Sequence, residues 1–117
     1  MHEASLCDAL FDLVDRQVAH NLADHAGGVV RLIRVSVGEL AGVDPELFQI
    51  AFDTLRIDRQ PRAELELVLV PASWRCALCD HTRAPDAPLT CPHCEAPLRL
   101  YEGGELTLER LELEVRD

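Results

Sequence analysis

Apolar positions recur at two different periods along the chain, and the points where the period changes mark the elements. Leu6, Leu10, Leu13, Val14, Val18 and Leu22 return at helical spacing, which predicts an amphipathic helix from residue 5 to about 25. Ser5 followed by Asp8 resembles a capping box at its start, and Gly27-Gly28 supplies a stop. Asp12, Asp15, Arg16 and Asn21 fall largely outside the apolar face. Residues 29–37 are rich in β-branched side chains, with Ile33, Val35 and Val37 apolar, and predict a strand ended by Gly38. A second helix opens at Asp44-Pro45-Glu46, where Asp is a good N-cap, Pro suits the first turn and Glu complements the helix dipole. Leu47, Phe48, Ala51, Phe52 and Leu55 form its apolar stripe, and Pro61 lies beyond its end. Residues 64–70 alternate as a half-buried strand with Leu65, Leu67 and Leu69 inward. Residues 106–116 alternate as well, but the phase slips between Leu108 and Leu111. A one-residue shift exchanges the faces of a strand, so a bulge or break is expected near Glu109-Arg110.

Between the last two strands the pattern disappears. Residues 73–100 are proline-rich, carry four cysteines and have little periodicity, which reads as a module inserted between two strands of a main unit. The expected fold is α+β: two helices packed on a small, mostly antiparallel sheet, with an inserted four-cysteine module like a zinc ribbon. Residues 1–72 and 101–117 would form the main domain and residues 73–100 the second. Trp74, just before the first cysteine of the insert, is expected to pack where the two meet.

Composition narrows the function. A chain of 117 residues that is 48% hydrophobic can build one real core, and with 4% aromatic residues Leu and Val are expected to dominate it. The formal net charge is −10, which repels phosphate backbones and anionic lipid and argues against nucleic-acid or membrane partners. All eleven basic residues are Arg, so lysine Schiff-base chemistry and a Walker-type phosphate loop are excluded. No apolar run has the length of a membrane span, and the opening residues lack the basic start of a signal peptide. A cytoplasmic location is therefore expected, where thiols stay reduced and clustered cysteines suggest metal ligands before disulfides.

Cys76-x-x-Cys79 and Cys91-x-x-Cys94, separated by eleven residues, each place two thiols on one tight turn. Four thiolates suit tetrahedral zinc and leave no position for a reactive water, so this zinc is expected to be structural. Metal binding would supply folding free energy to a module with little apolar content. A redox dithiol normally stands alone at a helix start, and an iron electron carrier would be coloured. His81 and His93 read as surface or supporting groups beside the ligands, and Cys7 as a small buried hydrophobe. His20 and His25 read as surface residues near the helix end. Glu109, Glu112 and Glu114 read as a solvated sheet face. Nothing in the spacing supports a Cys–His hydrolase, and the chain does not read as an enzyme.

The first three residues, Met1-His2-Glu3, carry weaker chemistry. A bulky second residue is expected to retain the initiator Met, leaving a free amine beside backbone amides and an imidazole. Nitrogen donors in a tetragonal arrangement suit Ni(II) or Cu(II). Glu3 would add a carboxylate or hold the imidazole.

Met-His-Glu-Ala-Ser-Leu at the start resembles the HypA/HybF family of hydrogenase nickel-incorporation proteins. So do the stretch Arg34 to Glu46, with Phe48, Ala51 and Phe52 behind it, the paired cysteines and the terminal Leu-Glu-Leu-Glu-Val. The resemblance implies a nickel metallochaperone with two metal sites. His2 would be the nickel ligand, aided by the Met1 amine and the His2 and Glu3 amides. Cys76, Cys79, Cys91 and Cys94 would hold structural zinc. The implied partners are the HypB GTPase, the large subunit of NiFe hydrogenase and, for some members, urease maturation proteins, with the carrier a monomer or weak homodimer. Glu39 stands where some relatives place a carboxylate near nickel. A zinc-ribbon interaction module without metal transport is the competing reading.

Overall fold

The computed structural model describes residues 2–21, 28–76, 78, 82–83, 90–91, 93 and 95–115. The chain runs α1 (His2–Asn21), β1 (Gly28–Gly38), α2 (Pro45–Arg59), β2 (Glu64–Val70), β3 (Ser73–Cys76), β4 (Thr82–Arg83), β5 (Leu98–Glu102) and β6 (Leu106–Val115). Two three-stranded sheets result, in the orders β2-β1-β6 and β4-β3-β5. Strand β1 pairs with β2 in parallel through α2 and with β6 antiparallel; the β3 pairings are antiparallel. The α+β class holds, but the sheet under the helices is mixed and not mostly antiparallel, because the α2 crossover brings β2 back parallel to β1.

Helix α1 starts at His2, three residues before the predicted cap, so Ser5 and Asp8 lie within its first two turns and form no capping box at its start. The predicted stop at Gly27 and the last turn before it fall outside the described residues. Helix α2 begins as its sequence dictates. Asp44 has extended backbone, and its carboxylate accepts from the Glu46 and Leu47 amides at 3.0 and 3.3 Å, with Pro45 in the first turn.

The core lies between the helices and one face of the first sheet. Cys7, Leu10, Phe11 and Val14 from α1 meet Phe48 and Phe52 from α2 and Val30, Ile33, Val35 and Val37 from β1. All three phenylalanines of the chain are fully buried there, and the Phe11 and Phe52 rings stack at 5.1 Å. Aromatic side chains thus hold the centre, with Leu65, Leu67, Leu106, Leu108, Leu111 and Leu113 packed around it half-buried. The expectation of a Leu and Val core holds for valine, with Val14, Val30, Val35 and Val37 in the cluster, but apart from Leu10 the leucines form its periphery, many of them on the two edge strands. Two inward assignments also fail. Leu47 and Leu69 are 50% and 64% exposed, since each sits at the end of its element, beyond the reach of the opposing layer.

The phase slip in β6 is a bulge. Arg34 faces Arg110 and Val35 faces Leu108, so Glu109 is the extra residue. A second irregularity lies on β1, between Val30 and Leu32. Thr107 precedes the bulge and faces Ser36, whose hydroxyl donates to the Glu109 carboxylate at 2.7 Å. The other tail carboxylates meet solvent-facing arginines, Glu114 with Arg31 at 2.8 Å and Glu112 with Arg110 at 3.7 Å.

The two helices are also tied by charge. The Arg59 guanidinium donates to Asp12 and Asp15 at 2.7 and 2.9 Å and stands 3.6 Å from Asp8, so the acidic side of α1 grips the end of α2. The hydrogen bonds to Asp15 and then Asp12 raise the Arg59 pKa.

Candidate metal centres

The sheet that begins at Ser73 is organised around its cysteines. Cys76 closes β3 and pairs with Leu98, while Thr90 forms a bridge to Pro97 immediately before it. Cys76 and the Thr90–Cys91 step therefore approach one Pro97–Leu98 segment from its two sides. Both cysteines are buried, at 0% and 1% exposure. After Cys91 the chain turns tightly: the Glu95 amide donates to the Cys91 carbonyl at 2.9 Å, and the Cys91 amide to the Ala96 carbonyl at 2.8 Å. Glu95 takes a left-handed φ of 59° to close it. Such a turn returns the chain on itself within a C-x-x-C spacing, as a knuckle around a metal requires. Cys79, Cys94 and His81 lie outside the described residues, so two of the four predicted sulfurs are described. His93 is exposed on the turn. Two buried thiols, Cys91 at a tight turn, with few other buried side chains in this sheet among the described residues, fit a tetrahedral thiolate site for zinc. Trp74 is half-buried on β3, and the Arg75 guanidinium lies 3.6 Å above the Tyr101 ring.

The opposite end carries the nitrogen-donor residues. His2 occupies the first turn of α1 with its side chain 60% exposed; Met1 lies outside the described residues. Amides of a first helical turn have no partner within the helix. Glu3, by contrast, is 12% exposed and fixed: its Oε2 accepts from the Asp44 amide at 3.3 Å and lies 3.6 Å from His2 Nδ1, a separation longer than a hydrogen bond. The Asp44 N–H, followed by the Glu3 amide and then the imidazole, holds the Glu3 carboxyl below its ordinary 4.5. Asp44 thus uses its side chain to start α2 and its backbone to hold Glu3. Composition and spacing give no sign of that link, because it joins residues 41 apart.

Glu39 does not join this group. Its carboxylate accepts from the Ala72 amide at 2.9 Å, which ties the loop after β1 to the start of the second sheet. The same joint carries bonds from the Glu39 amide to Val70, the Leu40 amide to Gly103 and the Gly38 amide to Glu105, each at 2.7–2.8 Å. Two glycines permit this approach. A Cβ at Gly38 would stand 2.2 Å from the Gly103 carbonyl carbon, and Gly103, at φ 93°, would place one 2.6 Å from the Ala72 backbone.

Cys7 is buried against α2, its Sγ 3.5 Å from the Phe48 carbonyl. Burial, with Asp8 and Glu3 adding, pushes its thiol up to about 12, so it is a packing residue. His20 is exposed in the last turn of α1, and His25 lies outside the described residues. Among the described residues no helix is long and apolar enough to cross a membrane.

Residues 1–113 match the family model described as "Hydrogenase/urease nickel incorporation, metallochaperone, hypA". The hydrogenase maturation factor HypA of Wolinella succinogenes is 35% identical over 122 aligned positions, covering 100% of this chain and 98% of that one. The factor of the same name from Shewanella baltica (strain OS185) is 32% identical, with 97% of each chain covered. The solution structure of the Ni metallochaperone HypA from Helicobacter pylori is similar in fold, with a TM-score of 0.68 at 27% identity, covering 94% of this chain and 95% of that one. A second solution structure, of a HypA protein, reaches 0.74 at 28% identity, with 97% of each chain covered.

Proposed function

The chain belongs to the HypA family of hydrogenase and urease nickel-incorporation metallochaperones, and from that premise we propose that it carries Ni(II) on its leading residues and hands it on during maturation of NiFe hydrogenase. The observation that carries this reading is His2 standing beside a partly buried Glu3 that Asp44 fixes in place. The Met1 amine, the His2 imidazole and the His2 and Glu3 amides supply the nitrogen donors, and Glu3 supplies negative charge beside them. Such a set binds by losing protons and gives up the ion when a competitor takes His2. The fit of Cys76 and Cys91 to a thiolate knuckle supports a resident structural Zn(II), held by Cys76, Cys79, Cys91 and Cys94; bound there, zinc cross-links residues 73–100 and performs no chemistry. The remaining residues, 1–72 and 101–117, are the nickel-carrying unit. The chain is a cytoplasmic carrier and not an enzyme. Its partners are the HypB GTPase and the hydrogenase large subunit, or the corresponding urease maturation proteins, and it works as a monomer or weak homodimer.

The test is a nickel titration of the full chain, of His2→Ala, and of a chain lengthened by one residue at its start. Wild type binds one ion, and both altered chains lose at least tenfold in affinity. Equal binding by all three removes the terminal site and leaves a zinc-ribbon interaction module.

A further inference from the structure

His2 does not face open solvent alone. It lines a cavity of about 380 Å³ with Leu6 of α1, Ala41 and Val43 of the loop after β1, and Gly104, Glu105 and Leu106 at the start of β6. Besides His2, Glu105 is the ionisable residue of this lining. It reaches that place by backbone geometry. The Glu105 carbonyl accepts from Gly38 and the Gly103 carbonyl from Leu40, so the end of β1 clamps the turn beside α1. Glu3 lines a different cavity, shared with Gly42, Asp44, Pro45, Glu46 and Leu69, with Val43 common to both. The two carboxylates therefore flank the His2 turn from separate hollows, and they differ in commitment. Glu3 is partly buried and already accepts a backbone hydrogen bond. Glu105 is exposed, and its carboxylate makes no hydrogen bond or ion pair among the described residues.

We propose that Glu105 is a further carboxylate of the nickel site, delivered to His2 by the turn that leads out of the cysteine-bearing sheet. The inference rests on the terminal nickel reading above and deepens it. A divalent ion held by His2 gains from Glu105 an oxygen donor and a compensating charge beyond those of Glu3, whose Oε2 is already engaged by the Asp44 amide. Since Glu105 follows Gly103-Gly104 directly after β5, the sheet that holds the thiolates positions a ligand of the other metal.

The experiment compares nickel binding by the full, zinc-loaded wild type with Glu105→Gln, Glu112→Gln and His2→Ala, using titration of Ni(II) and its visible absorption bands. Glu112 lies on β6, the strand that Glu105 immediately precedes, and matches the charge change away from the cavity. The expected result is a loss of about tenfold in affinity for Glu105→Gln with a shifted nickel band, and no change of either for Glu112→Gln. Equal affinities and spectra for the two glutamine variants overturn the proposal. If His2→Ala alone loses nickel, Glu105 is not part of the site and the terminal reading stands. If His2→Ala binds as wild type, the terminal reading itself has failed. The Glu105 side chain bonds nothing among the described residues, so zinc content and circular dichroism are unchanged in Glu105→Gln, which separates lost ligation from lost structure.

Discussion

Around β1, eleven side chains close into one buried cluster that draws on both helices, whereas in the sheet built on β3 the side chains buried to that degree among the described residues are Cys76 and Cys91, with Ala72 just before it. The first unit therefore follows from apolar area removed from water, with each buried Phe or Ile contributing about 1.5–3 kcal/mol. The second has strands of four, two and five residues and no comparable apolar cluster among the described residues. Below some size a sheet cannot offset its ordering entropy by burial and needs a cross-link. Cysteine at the two most buried positions is what a metal cross-link requires, so one polypeptide uses two stabilising principles side by side.

The largest effect that would break this comparison is removal of the thiolates. Cys76→Ser with Cys91→Ser, or chelation of the wild type, should release one zinc ion and abolish hydrogen-exchange protection in β3 and β5, while the amides of β1 remain protected. Structural zinc supplies on the order of 10 kcal/mol, far more than this sheet gains by burial. Retained protection in β5 without metal would place the stability of the small sheet in its own packing. Simultaneous loss in β1 would make the two sheets one cooperative unit.

Next in size is a cavity in the large core. Phe52 is fully buried and stacked on Phe11, so Phe52→Ala should cost about 3–5 kcal/mol. The urea midpoint of the helix-backed sheet should fall accordingly, with zinc content per chain unchanged. Zinc loss in step with the midpoint would show that the core also supports the knuckle.

Much of this was legible in advance, for definable reasons. The β6 bulge followed from parity, because the leucine positions change from even to odd and a strand has period two. The start of α2 followed from Asp44-Pro45, whose chemistry is local. The second cysteine pair announced the turn after Cys91 by its spacing. What stayed hidden was non-local or terminal. The first helix began earlier than its capping pattern suggested, and its leading turn is tied by Glu3 to the Asp44 amide, a link that Ser5 does not announce. Leu47 and Leu69 matched their stripes but stand past the edge of the opposing layer, which periodicity cannot register. Glu105 carried no motif, and its place beside His2 depends on Gly38 and Gly103 letting three backbone segments meet.

The smallest effect separates side chain from backbone at Asp44 and tests whether the leading turn is held independently of the cap on α2. Asp44→Ala removes the carboxylate that accepts from Glu46 and Leu47 and should cost about 1 kcal/mol. It keeps the Asp44 N–H that Glu3 accepts, which is the largest cause of the lowered Glu3 pKa. A carboxyl lowered in the folded state stabilises above its unfolded value, near 4.5, and that contribution is lost as pH falls through the folded value. The acid limb of the metal-free chain should therefore keep its shape in Asp44→Ala while the whole curve drops by the capping energy. Glu3→Gln should flatten that limb instead, and NMR titration of Glu3 should still give a midpoint below 4.5 in Asp44→Ala. A Glu3 midpoint back at its ordinary value would mean that the cap, and with it the start of α2, sets the geometry beside His2. In either variant the protection of β3 and β5 should not move, because the small sheet depends on its sulfurs and not on the helix ends.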